Sequence, residues 1–306
     1  MNNLSEKQKG EVAIALDTVL SALFPIITVF SFASVPGLVS LGWSTIFASV
    51  FFAGVITFRK RWGEIGNASL WKYSFLIALT FGFFFYSLYY LGLEHTSPGN
   101  ASLIVQFEIV TSFLFFTLFR HEKISRAYGV GIGCMLLGAG IVLAPNVSNL
   151  NTGDILIFIA TFVPPLGNLF TQQARKLASS ETIMFLRSSM SVPCIFLLAF
   201  LTHAHASSFA LYTSLPFLLA NGILTFGLSR ILYIEAIHRM SVTKAAAING
   251  AVPILTLVFA WVLLQQVPTV WQVSALLPLG LGILLLTDQF QLVVKKIRTW
   301  FNFVTP

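Results

Sequence analysis

Apolar residues run along this chain in ten blocks of roughly 20, the length an α-helix needs to cross a hydrocarbon core about 30 Å thick. The blocks fall near 11–31, 36–58, 71–93, 97–119, 125–145, 151–172, 183–203, 212–237, 241–263 and 268–290. Short polar connections separate them, so the pattern predicts an all-α membrane protein with ten transmembrane helices.

The cations sort by connection. With the N-terminus in the cytoplasm, seventeen of the eighteen Lys and Arg fall at cytoplasmic ends: Lys7, Lys9, Arg59, Lys60, Arg61, Lys72, Arg120, Lys123, Arg126, Arg175, Lys176, Arg187, Arg239, Lys244, Lys295, Lys296 and Arg298. The five opposite connections, around 32–35, 94–96, 146–150, 204–211 and 264–267, hold none. Positively charged loops stay inside, so both termini are expected in the cytoplasm. Arg230 reads as the one cation away from a membrane edge.

A shift of 144 residues lays the second half on the first. Tyr89 meets Tyr233, Ser97 meets Ser241, Ala101 meets Ala245, Ile104 meets Ile248, and Gly138 meets Gly282. The expected organisation is an N-terminal tail over 1–10, one five-helix repeat over 11–145, a second over 146–290, and a C-terminal tail over 291–306. Five is odd, so the second repeat must enter the membrane from the opposite face. Two inverted five-helix repeats offer two equivalent arrangements around a midplane site, the geometry many secondary transporters use. The third and fourth blocks join at a tight seam with Ser97 as helix cap and Pro98 in the first turn.

The stretch Tyr90-Leu91-Gly92-Leu93, then Ser97-Pro98-Gly99-Asn100-Ala101-Ser102, then Glu108 resembles a signature of the EamA-type drug/metabolite transporter superfamily. So do Arg120-His121-Glu122-Lys123, Gly129-Val130-Gly131-Ile132-Gly133 and Gly138-Ala139-Gly140. The second half repeats it in Ala236, Ser241 to Ala247, Val252-Pro253, Gln265-Gln266 and Gly280-Leu281-Gly282. The resemblance covers all ten blocks and implies a secondary transporter whose central cavity is lined mainly by helices one to four and six to nine. Three positions depart from the family pattern: Glu108-Ile109 stands for Glu-Pro, Phe24-Pro25 for Trp-Gly, and Gln266 for Glu.

Composition narrows the classes. A 56% hydrophobic and 9% charged chain is no ordinary soluble domain, where about a quarter of residues are charged. The net charge of +7 sits in short loops, favouring anionic lipid headgroups rather than nucleic acid. Cys134 and Cys194 lie inside blocks without metal-ligand spacing and read as small packed hydrophobes. The five histidines, at 95, 121, 203, 205 and 238, scatter over both sides, so neither a metal nor another cofactor is expected. The first block is too long for a signal-peptide core. Asn146-Val147-Ser148 forms a glycosylation sequon on the outer side.

Ionisable groups within hydrocarbon are expensive and tend to face a cavity or a partner. Glu108, near the middle of the fourth block with Thr111 and Ser112 on its face, can gain and lose a proton or pair with a cation. Arg230 can hold a carboxylate or phosphate, neutralise Glu108, pair with Glu235, or snorkel; it aligns with Tyr86 across the repeat. Asp17 is a further candidate acid, whereas Asp154 and Asp288 read as solvated span ends. Tyr86, Tyr90, Tyr233 and Trp43 could cage an amine by cation–π attraction, although packing or lipid contact explains any single one of them better. Asn168 and Gln172, one turn apart after Pro164-Pro165, suggest a broken helix with polar groups beside it. Asn249, ahead of Pro253, repeats that signal. The glycines at 129, 131, 133, 138 and 140 make a close-packing face for helix four or for a second copy in a homodimer.

The expected function is a secondary active transporter of the plasma (inner) membrane. It would carry a small polar or zwitterionic metabolite, amino-acid-like or an amine, by alternating access, with protons as coupling ion through Glu108. No nucleotide-binding motif is present to drive it otherwise. The competing readings are an intramembrane lipid-modifying enzyme, which needs a nucleophile–base set or metal cluster, and a non-transporting channel or scaffold.

Overall fold

The computed structural model describes residues 5–120, 126–143, 151–240, 245 and 248–286. The sequon at Asn146, the motif residues His121, Glu122 and Lys123, the seam residues Ser241 to Lys244, Asp288 and the C-terminal tail lie outside them. The described residues form helices joined by short turns: α1 (Glu6–Phe32), α2 (Gly37–Phe58), α3 (Ala68–Leu93), α4 (Pro98–Val105), α5 (Glu108–Arg120) and α6 (Arg126–Leu143). The second half follows with α7 (Thr152–Ala160), α8 (Pro164–Ala174), α9 (Ser180–Leu201), α10 (Ser208–Arg239), α11 (Val252–Leu264) and α12 (Val270–Leu286).

Side-chain caps start these helices where the chain leaves polar turns. Ser5 and Gln8 form a reciprocal capping box, and Asn67, Asn151 and Ser207 each accept a backbone N–H of the following first turn. The seam before α4 is built as expected: Ser97 accepts from the Asn100 amide at 3.1 Å, with Pro98 in the first turn. Each cap satisfies a backbone donor that the helix itself leaves unpaired.

Among the described residues six helices are long and apolar enough to cross a membrane: Gln8–Phe32, Gly37–Phe58, Ala68–Leu93, Thr152–Ala174, Ser180–Leu201 and Ser208–Arg239. Shorter apolar helices cover Gly129–Val142, Val252–Leu264 and Val270–Leu285. The fourth expected block, 97–119, is two helices separated at Gln106 and Phe107. Large apolar side chains such as Leu197, Phe200, Phe209 and Leu277 stay exposed on the outside, the surface a helical bundle presents to lipid.

The repeat is visible in the irregularities. α3 contains a π-helical segment at Ala78–Phe85 and α10 one at Asn221–Leu228. The break between α4 and α5 at 106–107 is answered at 250–251, just before α11, by the same 144-residue shift. Such interruptions widen or unwind a helix locally and concentrate at functional sites.

The halves interlock rather than sit side by side. α1 packs on α10 and α11, α2 on α9, α3 on α7, α8 and α9, and α6 on α12. Two contacts depend on glycine. A Cβ on Gly153 in α7 would lie 2.4 Å from the Gly92 carbonyl oxygen of α3. A Cβ on Gly138 in α6 would lie 2.4 Å from Leu279 Cγ of α12. Of the glycine row, Gly138 therefore meets the last helix, and Gly129, Gly133 and Gly140 face open space.

Candidate functional site

Between the two halves lies a cavity of about 630 Å³, the size of a typical small-molecule site. α1 contributes Ser21, Phe24 and Pro25; α3 contributes Phe81, Phe85, Tyr86 and Tyr89. Ser102 and Val105 end α4 and Glu108 begins α5, so the helix break places a carboxylate in the wall. The second half supplies Asn168, Thr171 and Arg175 from α8, Ile183, Met184 and Arg187 from α9, Arg230 and Tyr233 from α10, and Val252 and Thr256 from α11. The resemblance implied a wall from helices one to four; α2 contributes nothing to it.

Of the expected site residues, Glu108, Arg230, Tyr86, Tyr233 and Asn168 share this cavity. Glu108, Asp17, Tyr86, Tyr233 and Arg187 are ionisable neighbours of Arg230. Glu235 is not its partner, because Glu235 pairs with Arg239 one turn away. Asp17 is buried behind the wall: Ser229 Oγ donates to its Oδ1 at 2.5 Å and Asn249 Nδ2 to its Oδ2 at 3.1 Å. Thr18 donates to Asn249 Oδ1 at 2.6 Å. Asp17 and Asn249 thus tie α1 to the residues beside the 250–251 break.

The other expected residues lie elsewhere. Tyr90 is fully buried among Phe24, Phe32 and Phe226 beyond the deep end of the cavity, so Tyr89 takes the lining place that Tyr90 was expected to fill. Trp43 packs on Phe47 and Phe196 in a separate cluster. Gln172 is exposed, because the cavity face of α8 runs through Asn168, Thr171 and Arg175. The Pro164-Pro165 break is present at 161–163, and Thr111 Oγ1 donates at 2.5 Å to the Thr161 carbonyl freed there. Asp154 is not a solvated span end: it is 1% exposed and accepts from Thr96 and Asn100.

Arg187 was missed. Counted from sequence among the boundary cations, it stands two turns inside α9, 7% exposed. Its guanidinium carbon is 5.8 Å from the Tyr86 ring centroid.

The two ends of the cavity differ. At one end it meets a charged vestibule of about 520 Å³, which shares Arg175, Ser180 and Ile234 with it and is also lined by Glu6, Arg59, Arg61, Glu181 and Arg239. Glu64, on the 3-10 turn Trp62–Gly66 at this rim, accepts from the Ser179 amide (2.9 Å), Ser179 Oγ (2.7 Å) and Thr182 Oγ1 (2.7 Å). Partial burial works against its charge, but these bonds and Arg61 outweigh it and hold the carboxyl down to about 2. At the other end stands a plug of stacked rings, where Phe24 meets Tyr89 at 5.3 Å between centroids. Beyond the plug, Thr96 and Asn100 donate to Asp154, and Gln272 Nε2 donates to Asn100 Oδ1 at 2.7 Å and Ser97 Oγ at 3.2 Å. Among the described residues no cluster of three or more His, Cys, Asp or Glu could hold a metal ion.

Two interlocked helical repeats around a largely apolar cavity carrying Glu108, Arg187 and Arg230 define a multi-pass membrane protein with an internal cavity between its halves. The model of the EamA-like transporter family matches residues 8–144 and 151–288, and the chain belongs to that family of transporters. A Bacillus subtilis (strain 168) protein named "Uncharacterized transporter YoaV" is 22% identical over 223 residues, 70% of this chain and 75% of that protein. A solved crystal structure superposes with a TM-score of 0.64 at 14% identity, over 94% of this chain and 99% of that one, a likeness of fold.

Proposed function

We propose that this member of the family is a secondary active transporter that moves a small polar or zwitterionic metabolite by alternating access. It acts without enzymatic chemistry, through ten spans of a plasma (inner) membrane with both termini in the cytoplasm. The observation that carries the reading is the cavity's asymmetry, with a solvated vestibule at one end and a buried hydrogen-bonded seal at the other. The vestibule is rimmed by Arg59, Arg61, Arg175 and Arg239, cations that the positive-inside rule assigns to the cytoplasm. In this reading the arrangement is the inward-open half of a cycle.

Glu108 is the proton-coupling group. It stands where the fourth span is broken, in the cavity wall, with Arg230 as its charged neighbour. A carboxyl there can pair with Arg230 when ionised and release it when protonated, so protonation changes the charge balance of the cavity wall that the cargo meets. The open glycine row Gly129, Gly133 and Gly140 is the face a second copy would use in a homodimer. Proteoliposome uptake driven by an imposed pH gradient tests the coupling: Glu108→Gln should keep cargo exchange yet lose the response to the gradient. Gradient-driven uptake equal to wild type across pH removes Glu108 from the role.

A further inference from the structure

The two inward-facing arginines of the cavity, Arg187 buried and Arg230 half-buried, are not equivalent. Arg230 feels two carboxylates, Glu108 and Asp17, although among the described residues neither lies within ion-pair distance of it. Arg187 has Tyr86 and Arg230 beside it, and among the described residues no carboxylate comes within ion-pair distance of it. Its Nε has no hydrogen-bond partner although the side chain is 7% exposed.

A buried guanidinium with an idle donor and no counterion is costly, and a native fold seldom keeps one without a use. The backbone around it is fixed: Ser191 Oγ, one turn on, bonds both the Arg187 carbonyl (2.7 Å) and the Ala78 carbonyl of the α3 π segment (3.2 Å). The guanidinium is therefore held in the wall, beside the Tyr86 ring, before anything binds.

We propose that Arg187 is the anion-reading residue of the cavity, and that the cargo carries an oxyanion, carboxylate or phosphate, on an apolar body. This rests on the transporter reading above and narrows its cargo, since a simple amine leaves Arg187 unanswered. Guanidinium suits the task because its planar fork of donors meets two oxygens at once and keeps its charge in an apolar setting. Phe24, Phe81, Phe85, Tyr89, Ile183 and Met184 supply the apolar part of the same lining. Arg230 keeps the protein's own carboxylates and is free to follow the protonation of Glu108. The division of labour separates cargo recognition from coupling.

The test is thermal unfolding in a neutral maltoside detergent with four probes of one shape: benzoate, phenyl phosphate, phenol and benzylamine, at fixed pH and ionic strength. The expected result is stabilisation of the wild type by an anion and by neither phenol nor benzylamine, with benzoate against phenyl phosphate distinguishing carboxylate from phosphate. Arg187→Met should abolish that shift and weaken the anion by about 10- to 100-fold, the loss expected for a hydrogen bond to a charged group. Arg187→Lys should restore part of it. Silence of both anions on the wild type, equal shifts from all four probes, or an undiminished shift in Arg187→Met overturns the proposal. The wild-type ranking decides the matter even if Arg187→Met does not fold. Counterflow of the stabilising anion in proteoliposomes, set against protein-free vesicles, separates the two claims. Binding through Arg187 without flux leaves the anion site standing and removes the transporter reading.

Discussion

The two ends of the cavity are held shut and held open by different physics. At the sealed end one buried carboxylate, Asp154, gathers Thr96 and Asn100, and Gln272 braces the same hairpin from α12. At the open end the ion pairs Arg239–Glu6, Arg61–Glu64 and Lys9–Glu6 are solvated. Exposed pairs are worth about 0–1 kcal/mol each, whereas orphaning a buried polar group costs about 1–3 kcal/mol. The seal is therefore localised on few residues around one buried carboxylate, and the vestibule's contacts are spread over many. Under the alternating-access reading proposed above both states are visited, so their difference can be no more than a few kcal/mol, and the seal is where a single substitution would move that balance furthest.

The largest effect should come from Asp154→Ala. Losing about 1–3 kcal/mol from the sealed state shifts the population toward opening at that end by roughly 5- to 150-fold. A cysteine at Val105 in the cavity wall, in a chain with Cys134 and Cys194 replaced by Ala, should then react faster with an impermeant thiol reagent added from the sealed face. No change in rate would mean that Asp154 is not what holds this end.

Next comes Asp17→Asn, which weakens bonds to Ser229 and Asn249 away from either gate. Charged hydrogen bonds are worth about 1.5–3 kcal/mol, so the melting midpoint should fall while the ratio of thiol labelling from the two faces stays constant. A changed ratio would make Asp17 part of the gating rather than of the scaffold.

A smaller effect is expected at the vestibule rim. Glu64 is held below its ordinary value of 4.5, at about 2, so its ionised form favours the folded state. That contribution is complete above about pH 4.5 and is lost as pH falls toward 2. Glu64→Gln should lower the melting midpoint at pH 7, with the gap to wild type closing on acidification below 4.5. A gap independent of pH would assign the effect to packing. Smallest of all is Gln172→Ala: the side chain is exposed outside the cavity, and neither stability nor labelling should change.

The sequence read these regions unevenly. Block length and cap chemistry located most of the helices, and Ser97-Pro98 and Pro164-Pro165 marked a start and a break because each residue type restricts its own backbone. The break at Gln106 and Phe107 carries no such residue; its signal lies 144 positions later, at Gly250 and Pro253. Asn168 and Gln172 share a face on an uninterrupted helix, but the cavity face of α8 runs through i+3. Arg187 was hidden by its distance from the block end: two turns is close enough to count as boundary charge, and only packing against Tyr86 reveals that it points inward. Asp154 likewise reads as a span end until the Thr96 hairpin covers it.

The central claim is that one cavity is reached from two faces in turn. Its most direct measurement is labelling of Val105→Cys by an impermeant thiol reagent, with Thr96→Cys and Asp154→Cys either free or already joined by a short thiol crosslinker. Alternating access predicts reaction from both faces when the seal is free, and from the vestibule face alone once it is bridged. Reaction from both faces through a bridged seal, or from a single face under every condition, would contradict it.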